Sequence, residues 1–274
     1  METRGEDEAA IAEYRKVTEA DPDSAEGYNN VGNILKKLGR LPEAEEWYRR
    51  AIEADPAFFG SYNNLGLMLQ QRGDLDGAEA LYRKALDIFG RDPRIHNNLG
   101  SLFFARGQTD AALREFTEAE RLDPGYAEAR NSIGVVYGAL GRGADEIAAY
   151  RDALKINPKY PDARYNLALA LLRMGQAAEA RRELDHALAD APRHLPSLLL
   201  MSRMLLSSGD APGAAARATL ATDVNPSSAA AWLARGAALQ ASGNRAGAIE
   251  SFRRAGELDP SSTEARTALA ALEP

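Results

Sequence analysis

Apolar and small residues return along this chain on two rhythms. Within a dozen residues they fall three and four apart, the spacing of one face of an α-helix. Over a longer range the whole pattern returns every 34 residues. The long rhythm is plainest in Tyr28-Asn29-Asn30-Val31-Gly32, Tyr62-Asn63-Asn64-Leu65-Gly66, His96-Asn97-Asn98-Leu99-Gly100 and, more loosely, Arg130-Asn131-Ser132-Ile133-Gly134. Seven blocks without insertion or deletion start at Ala25, Phe59, Pro93, Ala127, Pro161, Leu195 and Ala229 and fill residues 25–262. An internal period of this length is the mark of a repeat architecture.

Each recurring position has a physical reading. Positions 4, 7, 8 and 11 of a block share one face of a first helix. Position 8 is glycine in five blocks, and position 20 is alanine in all but one. Residues that small let two helices approach closely. Position 15 is glycine in every block, from Gly39 to Gly243, and suits the left-handed turn that ends a helix. Positions 20, 24 and 27 form the stripe of a second helix, with position 24 usually aromatic (Tyr48, Tyr82, Phe116, Tyr150, Phe252). Proline at position 32 in six blocks stops that helix. The pattern predicts two antiparallel helices of about 12–14 residues per block, and such a pair can bury its apolar face only by stacking on its neighbours.

The ends depart from the period. Residues 1–24 correspond to positions 11–34 and predict a single helix, a half repeat, with Ala10, Tyr14 and Val17 on one face. Residues 263–274 predict a last capping helix, introduced by Ser261 and Glu264 at capping-box spacing and made polar by Glu264, Arg266 and Thr267. The half repeat leaves two readings, a chain cut from a longer one or an N-terminal cap.

This pattern resembles the tetratricopeptide repeat, a 34-residue helix–turn–helix unit. The seventh block carries the family signature best, in Trp232, Gly236, Leu239, Ala248, Phe252, Ala255 and Pro260. The resemblance implies an all-α, right-handed superhelix (an α-solenoid) of about 16 antiparallel helices, with the first helix of each pair lining a concave, ligand-facing side.

Three blocks break the pattern. In the fourth, Glu146 occupies the alanine position 20, read either as a small helix shift that lets the carboxylate reach the edge or as a local hinge. In the second, Gly90 replaces the proline and Pro93 follows three residues later, a remodelled turn. In the sixth, Ser202 stands at position 8, Pro212-Gly213 opens the second helix and Ala218 replaces the aromatic. Its first helix is apolar nearly all round (Leu195, Leu198, Leu199, Leu200, Met201, Met204, Leu205, Leu206). Either these leucines fill space that the aromatics leave, or they form a patch that a partner or second copy covers.

Composition narrows the function. The net charge of −7 argues against nucleic acid as a partner. The absence of cysteine excludes disulfides and thiolate metal sites, and His96, His186 and His194 lack metal-ligand spacing. No apolar run approaches a membrane span, and the start carries no signal-peptide core. These point to the cytoplasm, or to the periplasm if a leader was removed. No phosphate loop or nucleophile elbow appears, Gly141-Arg142-Gly143 being an inter-helix turn, and pairs such as Glu45-Glu46 read as a solvated face. The expectation is a non-catalytic binding scaffold without cofactor or metal.

The face opposite the first-helix packing stripe carries the candidate ligand residues. Position 5 holds Asn29, Asn63, Asn97 and Asn131, then Tyr165, Leu199 and Leu233; position 6 holds Asn30, Asn64, Asn98, Ser132 and Asn166, then Leu200 and Ala234. Asparagine is a poor helix former. Bonding to a neighbouring helix accounts for one such column and less well for two. An amide both donates and accepts, so a column of amides can grip an extended peptide backbone. The position-6 column is similar to the asparagine ladder in the superhelix of O-linked N-acetylglucosamine transferase, and that resemblance carries over to Asn30, Asn64, Asn98 and Asn166. Asn33, Lys36, Lys37, Gln70 and Gln71 extend a polar N-terminal part, with the lysines placed for an acidic group. Phe104, Val135, Leu169, Leu172 and Leu206 make the later part apolar. The expected partner is a protein or peptide segment, polar or acidic over the first blocks and apolar over the later ones. Alternatives are the substrate-recruiting arm of a larger enzyme, such as a glycosyltransferase, and self-association through the N-terminal helix or the sixth block.

Overall fold

The computed structural model describes residues 2–272, all of them in helices and the short turns between them. Met1, Glu273 and Pro274, at the ends of the expected first and last segments, lie outside the described residues. Sixteen helices are described. The opening helix α1 spans Glu2–Ala20. The first helices of the seven blocks are α2 (Ala25–Lys37), α4 (Phe59–Gln71), α6 (Pro93–Ala105), α8 (Ala127–Ala139), α10 (Pro161–Arg173), α12 (Leu195–Ser207) and α14 (Ala229–Ala241). The second helices are α3 (Leu41–Ala54), α5 (Leu75–Phe89), α7 (Thr109–Leu122), α9 (Gly143–Ile156), α11 (Ala177–Asp190), α13 (Ala211–Val224) and α15 (Arg245–Leu258), and α16 (Thr263–Leu272) follows. The chain divides into two compact units, residues 1–136 and 137–274.

The turn inside each block is set by its glycine. After α2, Gly39 adopts φ +76°. Its N–H bonds Lys36 O, and Arg40 N–H bonds Leu35 O. This pair of bonds is the Schellman cap, which satisfies carbonyls the helix end would orphan. The glycine at position 15 is left-handed in all seven blocks, with φ between +70° and +85°. Gly90, which stands where proline is usual, also turns left-handed (φ +62°), and α5 runs on to Phe89 before it.

Glycine at position 8 has a narrower job than letting helices approach. A Cβ on Gly32 would meet the Tyr48 ring at 2.6 Å, one on Gly100 the Phe116 ring at 2.6 Å, and one on Gly236 the Phe252 ring at 2.6 Å; Gly66 faces Tyr82 in the same way. The missing side chain is the socket for the aromatic ring of its own repeat. The sixth block loses both halves of this fit together: Ser202, at the socket position, donates its hydroxyl to Ala214 O at 2.9 Å, and Ala218 stands where the ring would be. The fifth block pairs Ala168 with Leu184, both fully buried.

In unit 1 the core runs through Val31, Leu35, Tyr48, Tyr62, Leu65, Tyr82, Ile95 and Leu102, with Ile11 at its α1 edge. Here one sequence expectation is corrected. On α1 the buried residues are Ile11 and Thr18; of the expected stripe Ala10 and Tyr14 are half-buried, Tyr14 against the core, while Val17 is 45% exposed. The stripe is rotated because α1 packs on α2, whereas in a full repeat the stripe of positions 20, 24 and 27 faces that repeat's own first helix.

Glu146 is also corrected. It does not reach the edge: the residue is 4% exposed. Its carboxylate lies over Gly138, where a Cβ would collide with it, and pairs with Arg173 of the next block. In unit 1, Glu45 pairs with Arg72 at 2.6 Å and Glu79 pairs with Arg106. All three pairs are 27 residues apart. The first two join position 21 to position 14 of the next block, and the Glu146 pair moves both partners back by one place. Thus the burial of a charge is offset by a charge partner, as it must be.

Candidate functional site

The outward columns of the first helices behave differently in the two units. In unit 1 the amides bond one another across successive first helices. Asn64 Nδ2 donates to Asn29 Oδ1 at 2.9 Å and to Asn33 Oδ1 at 3.1 Å. Asn98 Nδ2 donates to Asn63 Oδ1 at 2.9 Å. Ser132, where the asparagine column is interrupted, donates its hydroxyl to Asn97 Oδ1 at 3.2 Å. Three of these bonds, all but the one to Asn33, link residues 35 apart, position 5 of one block to position 6 of the next. The two columns are therefore the two halves of one inter-repeat tie, which gives both a structural reason. Burial agrees: Asn29, Asn98 and Asn131 are under one-tenth exposed, while Asn30, Asn63, Asn64 and Asn97 are half-buried.

Three of the other polar candidates of unit 1, Asn33, Gln70 and Lys37, are engaged as well. Tyr48 donates its hydroxyl to Asn33 at 2.9 Å and Tyr82 donates its own to Gln70 at 3.0 Å. Burial pushes the Tyr48 hydroxyl up to about 12 and raises that of Tyr82 further, so both remain protonated donors at neutral pH. Lys37 pairs with Asp7 of α1 at 2.7 Å. Lys36 forms no ion pair among the described residues, and Phe104 is half-buried on α6. An acidic ligand group over Lys36 and Lys37 would therefore compete with Asp7.

In unit 2 the same columns line a groove of about 600 Å³. Its walls are Tyr165 of α10, Leu195, Pro196, Leu199, Leu200, Ser202, Arg203 and Leu206 of α12, Ala230, Leu233, Ala234 and Ala237 of α14, and Glu264 of α16. Ligand pockets commonly run from roughly 300 to 1,000 Å³, mostly apolar with a few placed polar groups. Of the sequence-predicted site residues, Tyr165 lines this groove. Asn166, beside it, is half-buried on α10. Leu199 and Leu233, at position 5, and Leu206, expected in the apolar part, line the groove too, whereas the sequence reading did not single out Arg203 and Glu264 for this face. The signal for the leucines was that positions 5 and 6 turn from asparagine to leucine and alanine at the sixth block.

Glu264 reaches the groove because it is not part of a capping box. The N-cap of α16 is Ser262, whose hydroxyl accepts from Ala265 N–H at 3.2 Å. Ser261 instead bonds Asp259 through its N–H and its hydroxyl, at 3.0 and 2.6 Å. Turn closure thus takes the serine that the spacing assigned to a cap.

One cluster beside the groove has the order of a catalytic relay. His194 Nδ1 lies 2.8 Å from Ser197 Oγ and its Nε2 lies 3.1 Å from Asp162 Oδ1. The hydrogen bond from His194 holds the Asp162 carboxyl below its ordinary value. Ser197, however, has no exposed surface, so its hydroxyl cannot meet a substrate. The cluster ties α12 to α10, and Tyr165 packs edge-on to the His194 ring with centroids 6.2 Å apart. Among the described residues no group of histidine and carboxylate side chains could hold a metal ion, and no helix is long and apolar enough to cross a membrane.

Comparison with known proteins places the chain. Family models described as tetratricopeptide or TPR repeat match residues 3–39, 32–73, 58–124, 97–161, 139–203 and 229–272. No curated protein matches. Among solved structures, yeast Tom70 superposes with a TM-score of 0.76 at 17% identity, over 97% of this chain and 58% of that one. The Cut9 complex with Hcn1, from the APC/C, gives 0.67 at 16%, over 92% and 50%. A tetratricopeptide-repeat protein of Parabacteroides merdae gives 0.59 at 22%, over 92% and 99%. The chain thus spans about half to three-fifths of the first two proteins. The fold is an all-α solenoid of helical hairpins, and its architecture is that of a protein-interaction scaffold.

Proposed function

The chain belongs to the tetratricopeptide-repeat family, and on that premise we propose that it binds a segment of a protein partner on its first-helix face, with the partner's apolar side chains seated in the unit 2 groove. One observation carries this reading. The columns that hold mutually bonded amides in unit 1 hold Leu199, Leu200, Leu233 and Ala234 in unit 2, where they open onto the groove. Leu199, Leu206 and Leu233 are only half-buried, and covering them with apolar groups yields roughly 25 cal/mol per Å² removed from water. The amide columns of unit 1 supply inter-repeat ties first. The spare donors and acceptors of Asn30, Asn63 and Asn97 are a secondary polar contact for a partner backbone.

Affinity capture with mass spectrometry tests this. A partner retained by the parent should be lost with the double variant Leu199→Glu/Leu233→Glu, and weakened but not abolished when Asn63 and Asn97 become alanine. Retention of the same partner by the double glutamate variant would remove the groove from the account.

A further inference from the structure

The groove has a polarity of its own. Arg203 and Glu264 line the same groove. Both are exposed, and neither forms an ion pair among the described residues. Most other cations around the first helices are paired: Arg164 with Glu183, Arg173 with Glu146, and Lys37 with Asp7. Arg203 projects from α12 and Glu264 from α16, with α14 between them supplying the apolar floor through Leu233, Ala234 and Ala237. An unpaired cation at one side of an apolar floor and an unpaired anion at the other complement a segment with the opposite arrangement, and rim charges of this kind set orientation more than affinity.

Resting on the proposal that the groove seats a partner segment, we infer that this segment is a dipolar apolar peptide: bulky apolar residues flanked by an acidic side chain that meets Arg203 and a basic side chain that meets Glu264. Stacked helices lie about 8–10 Å apart, so two steps across α14 put α12 and α16 roughly 16–20 Å apart. An extended chain advances about 3.3–3.6 Å per residue. The acid and the base of the partner are therefore about five or six residues apart, and the pair fixes which way the segment runs.

The test is selection of a random twelve-residue peptide library displayed on phage against the whole chain. Parallel selections use the charge swap Arg203→Glu/Glu264→Arg and the floor variant Leu199→Glu/Leu233→Glu, with the helical circular dichroism of each checked against the parent. The parent should enrich apolar peptides with an acid and a base at that separation. The charge swap should enrich the same apolar cores with the two charges exchanged. Exposed ion pairs are worth about 0.2–1 kcal/mol each, so exchanging the charges of one selected peptide should weaken its affinity for the parent by about 1.4- to fivefold for each pair lost. An apolar consensus on both proteins with no exchange of charge would overturn the inference and leave the groove reading standing. Peptides equally enriched on the floor variant would overturn both.

Discussion

Replacing Gly100 by alanine sets two effects of known size against each other. Alanine is a better helix former than glycine by about 0.5–1 kcal/mol, so on propensity alone the change in α6 should stabilise. The socket says otherwise. The new methyl would lie 2.6 Å from two ring carbons of Phe116, which is 3% exposed, whereas carbon atoms rest about 3.5–4.0 Å apart. The ring, held on α7 against its own repeat, must move by about an ångström, and overpacking of a filled core costs about 1–3 kcal/mol. The net expectation is a loss of roughly 0.5–2 kcal/mol. Gly256, near the end of α15, is the control: its Cβ would sit 3.9 Å from that of Ala265, an ordinary contact, so Gly256→Ala should gain about 0.5 kcal/mol from propensity. Urea unfolding followed by helical circular dichroism measures both. Phe116→Leu in the Gly100→Ala background recreates the Ala168 and Leu184 pair of the fifth block and should recover part of the loss, with a coupling of at least about 0.5 kcal/mol in the double-mutant cycle. Stabilisation by Gly100→Ala equal to that of Gly256→Ala would refute the socket.

Asn64→Ala removes both donors to Asn29 and Asn33, and Asn29 is 6% exposed. Leaving its buried acceptor without that bond should destabilise by about 1–3 kcal/mol, read as a shift of the urea midpoint; Asn30→Ala should move it little. Acid should weaken unit 1 through Glu79. Its carboxyl is held below its ordinary 4.5 by hydrogen bonds from Arg83 and then Arg106. The native form therefore binds its proton later than the unfolded chain does. That contribution is complete above the ordinary carboxylate value and is lost as pH falls through the lowered one. Replacing Arg83 and Arg106 together by glutamine should flatten the unfolding midpoint against pH below about 4.5, and an unchanged profile would count against the pairing. Ser202→Ala leaves the buried space of its hydroxyl without the bond to Ala214 O and should cost about 1 kcal/mol by the same assay.

Much of the fold was legible because a repeat states its rules seven times. Position 15 predicted a left-handed turn, and position 32 a helix stop, from chemistry that depends on one residue and its own backbone. What was less legible depended on two residues in different blocks. The asparagine columns read as ligand groups because each was considered alone; the bond that joins them spans 35 residues, one more than the period, and so is not visible as a repeat of anything. Glu146 looked like a defect because its partner, Arg173, moves with it. On α1 the stripe was placed by counting back through the period, a step that assumes a paired first helix. The groove was partly visible in the run of leucines of the sixth block, yet which of them open outward was settled by packing: Leu198 and Met201 are buried, while Leu195 and Leu199 line the opening.

The amide tie has a consequence for how such a chain can change its length. Each of the first blocks carries an acceptor at position 5 and a donor at position 6, one for the neighbour after it and one for the neighbour before it. A block copied whole therefore arrives with both halves of its own coupling and fits beside any of the others, like a link cast from the same mould. The sixth and seventh blocks have exchanged those halves for the leucines and alanine of a groove. They are not interchangeable parts: one of them transplanted among the first blocks would break a tie on each side.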